Sequence, residues 1–144
     1  MLKTILVALD SSELSHQVME SLVGNLQIQS TSKMILVHVI NRRNAEVEIA
    51  ADRPGTVGVQ DEVPYRHLEK QLQSYQIQLP CKSELEIVSG DPAEEIIRLA
   101  NIYRADLIVI GNRGLTGMKR IIEGSVSSQV VADAPCSVLV IKPQ

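Results

Sequence analysis

Four short aliphatic runs restrict this chain more than any other feature: Ile5 to Leu9, Met34 to Ile40, Leu107 to Ile110 and Val138 to Ile141. Each is rich in Val and Ile and nearly continuous. A strand with one wet face would alternate apolar and polar residues; these do not, so they read as strands buried on both faces, as in parallel sheets. A weaker fifth run, Glu84 to Val88, does alternate. Stripes at helical spacing lie between the runs. Leu14, Val18, Leu22 and Leu26 recur every fourth residue, behind Ser11 or Ser12 as N-cap. Tyr65, Leu68, Leu72 and Tyr75 form a second stripe, opened by Pro64. Asp91, Pro92 and Glu94 read as N-cap, first-turn proline and capping-box acid, before a stripe of Ala93, Ile96, Ile97 and Ala100. A fourth helix is expected to start near Gly124-Ser125 and to turn Val126 and Val130 inward. Strict alternation of strand and helix predicts one α/β domain over residues 1–144. It should be doubly wound, with a parallel sheet, helices on both faces and right-handed crossovers.

Only residues 41–60 break the rhythm. They carry Arg42, Arg43, Asp52, Pro54, Gly55 and Gly58 without a period and read as a long surface loop. The chain has no Phe or Trp and three tyrosines, so its core must be aliphatic. A net charge of −3 argues against nucleic acid or an anionic membrane as a general partner. No apolar stretch approaches the ~20 residues that cross a bilayer, and the first apolar run stops at Asp10, too soon for a signal peptide. Cys81 and Cys136 have neither metal-ligand nor redox spacing. A soluble, cytoplasmic protein is the expectation.

The strongest candidate for chemistry is Gly111-Asn112-Arg113-Gly114, followed after nine residues by Gly124-Ser125. It starts where a buried strand ends and finishes at the expected helix. Open α/β sheets bind ligands at that carboxyl edge. Glycines allow close backbone approach, and amides at a helix start suit a phosphate. The competing reading is plain loop punctuation. A Walker A loop would end in Gly-Lys-Ser or Gly-Lys-Thr, and a dinucleotide fingerprint would follow the first strand; neither is present. Asp10 ends the first strand and either flanks the same crevice or merely caps the next helix. His38 reads as a core histidine, and His16 and His67 as solvated. Lys119 and Arg120 could reach phosphates or form a solvated face. Glu94, Glu95 and Glu123 make no acid–base pair. The chain offers a binding site more clearly than a catalytic one.

At these residues the chain resembles the universal stress protein family. Gly111-x2-Gly114-x9-Gly124-Ser125 is similar to that family's nucleotide-binding motif. Ile5 to Asp10, Leu36 to Val39, Gly90-Asp91-Pro92, Ala105 to Gly111 and Ala134 to Ile141 resemble its other segments. The resemblance implies five parallel strands in the order 3-2-1-4-5. It implies ATP or a related adenine nucleotide such as AMP, with or without Mg2+, in a stress-response or signalling switch. For the site it implies Ala8, Leu9, Asp10, Ser11, Val39, Gly111, Arg113, Gly114, Gly124, Ser125, Val126 and Ser127. Asp10 would lie near the ribose or a metal, and Val39 would offer backbone groups to the adenine. Gly124, Ser125 and Val126 would hold phosphates. Two departures stand out: Ser11 occupies a position where the family often has Gly, and Asn112 one where it often has a small residue. The resemblance also implies a homodimer through the C-terminal strand. No catalytic or metal-ligating residue is assigned. The alternatives are a slow ATP hydrolase and a structural dimer with a degenerate site.

Overall fold

The computed structural model describes residues 3–9, 13–25, 32–41, 57–111 and 119–142. In chain order the elements are β1 (Thr4–Ala8), α1 (Glu13–Asn25), β2 (Lys33–Asn41), α2 (Val57–Gln78), β3 (Lys82–Gly90), α3 (Pro92–Tyr103), β4 (Leu107–Gly111), α4 (Lys119–Asp133) and β5 (Ser137–Ile141). The five strands form one sheet in the order β3-β2-β1-β4-β5, and every pairing is parallel. The expected topology is therefore the one observed.

The continuous apolar runs are explained by two cores, one on each face of the sheet. On one face, Ile5, Val7, Leu9, Met34, Leu36, Leu107 and Val109 pack under Val18, Met19 and Leu22 of α1 and Leu72 and Tyr75 of α2. On the other, Leu6, Ile35, Val37, Ile108 and Ile110 pack under Ala93, Ile96, Leu99 and Ala100 of α3 and Val130 of α4. Successive strand residues point to opposite faces, so a strand feeding both cores has no polar position to spare.

Helix α3 follows its sequence signals closely. Asp91 caps it and accepts from the Glu94 amide at 3.1 Å. Arg104 closes it in the left-handed region at φ 53°. Its buried stripe differs by one residue from expectation, with Leu99 buried while Ile97 stays half-exposed. Two other helices begin earlier than expected. α2 starts at Val57 and runs through Pro64, so residues 57–60 belong to a helix and not to the preceding loop. Proline removes one ladder bond but does not forbid a helix. α4 starts at Lys119, because Lys119 to Glu123 contains nothing that stops a helix and an interior glycine costs only ~1 kcal/mol.

The two edges of the sheet differ. β3 is nine residues long and carries Lys82, Glu84 and Glu86. β5 is five residues, Ser137-Val138-Leu139-Val140-Ile141, without a charge. No helix among the described residues is long and apolar enough to cross a membrane.

Candidate functional site

The order of the strands creates one place where neighbouring connections part. β1 and β4 are adjacent, with Ala8 level with Ile110. The chain leaves β1 for α1, which packs on one face, and leaves β4 for α4, which packs on the other. Connections that diverge from neighbouring strand ends leave a crevice at the carboxyl edge. Ala8, Leu9, Val39 and Gly111 are brought together there. Leu9 is buried, while Ala8, Val39 and Gly111 are half-buried.

The main chain at this edge has a specific form. The β1–β2 register ends at Ala8 opposite Val37, and the Leu9 amide donates to the Val37 carbonyl at 2.8 Å. β2 runs on to Asn41 beside β3. Backbone groups alternate sides along a strand, so those of Val39 point the same way as those of Val37, toward β1. At Val39 that side is no longer filled by β1. Its N–H and C=O thus form an adjacent donor and acceptor directed past the end of β1. The Leu9 carbonyl is taken by the ring of His38, with Nδ1 at 3.0 Å. In the sequence alone His38 reads as a core histidine. Only the register shows that it stands one residue beyond the last β1–β2 pair.

The helix starts near this edge differ in charge. The first turn of α3 carries Glu94 and Glu95 behind the Asp91 cap. The first turn of α4 has no acid and begins Lys119-Arg120. An anion is favoured at a helix start and repelled by carboxylates, so α4 is the better of the two. Gly124 and Ser125 lie within α4 as its sixth and seventh residues, not at its start. Val126 packs against the core beneath α4, and Ser127 is buried. Asp10, Ser11, Arg113 and Gly114 lie outside the described residues.

The amino edge of the sheet is fastened separately. One carboxylate oxygen of Asp106 accepts the amides of Lys3 at 3.0 Å and Thr4 at 2.9 Å. Those bonds, the Thr4 one first, hold the Asp106 carboxyl below its ordinary range. Nearby, the Tyr103 hydroxyl donates to Glu86, which pushes its pKa up. Lys33 lies 5.6 Å from the centre of the Tyr103 ring and pairs with Glu84 at 3.0 Å. Tyr103 is thus committed at the opposite end from the crevice, and Tyr75 is buried in the core, bonded to His16 at 3.2 Å. Neither can flank a base. No group of three or more His, Cys, Asp or Glu suited to a metal occurs among the described residues.

Comparison with known proteins gives a consistent picture. The model of the universal stress protein family matches residues 1–142. A universal stress protein of Synechocystis is 32% identical, over 96% of this chain and 96% of its own length. One from Thermus aquaticus is 31% identical, over 99% of this chain and 100% of its own. Among solved structures, the hypothetical protein MJ0577 superimposes with a TM-score of 0.81 at 27% identity, covering 100% of this chain and 98% of that one. A universal stress protein family protein from Arabidopsis thaliana, solved with AMP bound, gives 0.66 at 22% identity, covering 99% and 92%. A universal stress protein solved in complex with cAMP gives 0.67 at 23%, covering 98% and 97%.

Proposed function

The chain belongs to the universal stress protein family, and from that premise we propose that it binds an adenine nucleotide at the carboxyl edge of β1 and β4 and acts as a nucleotide-dependent switch. The observation that carries this reading is the Val39 main chain. Its N–H and C=O point past the end of β1, and an adenine edge offers the complementary acceptor and amino donor. With no Phe or Trp in the chain and Tyr75 and Tyr103 engaged elsewhere, the base sits in an aliphatic slot. The relatives solved with AMP and with cAMP support the choice of nucleotide.

The phosphates would lie toward α4, along Gly111 and Gly114, on the amides of Gly124, Ser125 and Val126. The Ser125 hydroxyl, Arg113 and Ser127 belong to the same proposed set, as Asp10 and Ser11 do for the ribose. Inside a helix, amides from the fifth residue onward are taken by carbonyls four residues back. Phosphate contact at the amides of Gly124, Ser125 and Val126 together therefore requires the helix to unwind through Lys119 to Glu123 at least. Any Mg2+ would have to be held by the phosphates and Asp10, where it would offset phosphate charge.

The apolar, uncharged β5 edge supports a homodimer formed by antiparallel pairing of β5 with its own copy. The two free, half-buried cysteines suit a reducing, cytoplasmic setting. The direct test is to denature the purified protein and identify the released nucleotide by mass spectrometry, then titrate ATP, AMP and cAMP by calorimetry. An adenine nucleotide that copurifies or binds at micromolar concentration is expected. Absence of binding by all three would overturn the reading, and steady phosphate release from ATP would make the protein a hydrolase instead.

A further inference from the structure

We propose that His38 is a positioning residue: its ring takes the Leu9 carbonyl and so keeps the Val39 main chain open to the base. This rests on the adenine-nucleotide reading above. In a parallel ladder, the rung after Leu9 N–H to Val37 C=O is Val39 N–H to Leu9 C=O. That rung is not made, since β1 ends at Ala8 and its pairing with β2 ends at Val37. The acceptor it would use is bonded instead to His38 Nδ1 at 3.0 Å. A carbonyl can only accept, so Nδ1 carries the proton. The donor is present in both the neutral ring of that tautomer and the imidazolium, so the contact does not depend on the charge of the ring.

His38 lies on the strand that owns the competing amide, one residue before it. Its side chain replaces a main-chain rung by a side-chain bond to the same oxygen. The ladder then stops one residue short, at Leu9 N–H to Val37 C=O, and the Val39 N–H is not spent on the Leu9 carbonyl. An apolar side chain at this position leaves the Leu9 carbonyl without its partner, and the donor a parallel ladder sets against it is Val39 N–H. The ladder would extend by one rung and close the site from within. A merely structural histidine makes no such prediction about a neighbouring amide.

The test uses His38→Leu and His38→Asn, whose Nδ2 donor sits the same number of bonds from the backbone as Nδ1 of histidine. Amide hydrogen exchange by NMR on the nucleotide-free proteins reads the rung directly, and calorimetry with ATP reads the site. In His38→Leu the Val39 amide should gain about tenfold protection and ATP affinity should fall about tenfold, one hydrogen bond's worth in each case. His38→Asn should match wild type in both. An unchanged Val39 amide or unchanged ATP affinity in folded His38→Leu overturns the proposal, as does His38→Asn behaving like the leucine variant. A wild-type protein that binds no ATP overturns the functional reading; the exchange comparison then upholds or overturns the ladder-ending role of His38 by itself.

Discussion

Gly124→Ala should make the protein more stable and its nucleotide binding weaker at the same time. Gly124 is the sixth of fifteen residues in α4. In a helix interior, alanine is favoured over glycine by about 1 kcal/mol. If phosphate binding unwinds α4 through Gly124, leaving Ser125 as its first helical residue, residue 124 becomes the N-cap. There alanine is worse than glycine by about 1 kcal/mol. The substitution thus biases the long helix over the short one by ~2 kcal/mol, which corresponds to about a thirtyfold loss of affinity. Urea unfolding should show a midpoint shifted upward by the interior share, and calorimetry with ATP should show the weaker binding. A clash between the new methyl and a phosphate would also weaken binding, so a companion is needed. Glu123→Gly lowers the helix propensity of the segment that must unwind and leaves the Gly124 amide untouched. It should tighten ATP binding about fivefold while costing about 1 kcal/mol of stability. If Glu123→Gly leaves affinity unchanged or weakens it, α4 does not shorten on binding and the reasoning fails.

Three further outcomes follow from the fold. Ile108→Ala empties a fully buried position between α3 and α4 and should cost about 4 kcal/mol, or roughly 12 °C in Tm; a loss under about 1.5 kcal/mol would mean that this face of the sheet is loosely packed. The Asp106 carboxyl is held below its ordinary value, so its contribution to stability is complete above the unfolded carboxylate pKa of about 3.9 and is lost as pH falls through the lower folded value. Asp106→Ala should therefore lower Tm at pH 7 and shrink the difference from wild type in acid, and an equal difference at pH 7 and pH 2 would count against the clamp. Val140→Pro removes a backbone donor from β5 and should give monomers where wild type gives dimers by light scattering; wild-type monomer at high concentration would end the dimer proposal.

The sheet was legible because burial on both faces forces the strands to be aliphatic throughout, as at Ile5 to Leu9 and Met34 to Ile40. α3 was legible because Asp91, Pro92 and Glu94 satisfy the same terminal amides in any context. The start of α2 was not, because Pro64 marks a missing donor, and whether that ends a helix depends on Val57 to Val63 ahead of it. Gly124-Ser125 marks a helix start only as a motif, whereas local propensity extends α4 back to Lys119. Ile97 and Leu99 are both apolar, and only the angle at which α3 crosses the sheet decides which is buried. Of the site, Ala8, Val39 and Gly111 could be placed at one edge from strand order alone. The part played by His38 depends on which rung of the β1–β2 ladder is last, and register is not written in any one segment.

The unequal edges of the sheet set how far assembly can go. A sheet with two sticky edges is a bifunctional monomer and polymerises without end. Here one flank bears Lys82, Glu84 and Glu86, and the other is plain aliphatic strand. If the proposed β5 pairing forms, such a subunit is monofunctional, and a growing ribbon would be terminated by the first copy it adds. In that case a neutral residue at both Glu84 and Glu86 would convert the chain-stopper into a chain-carrier, and those two carboxylates would be what keeps the second edge from adding further copies.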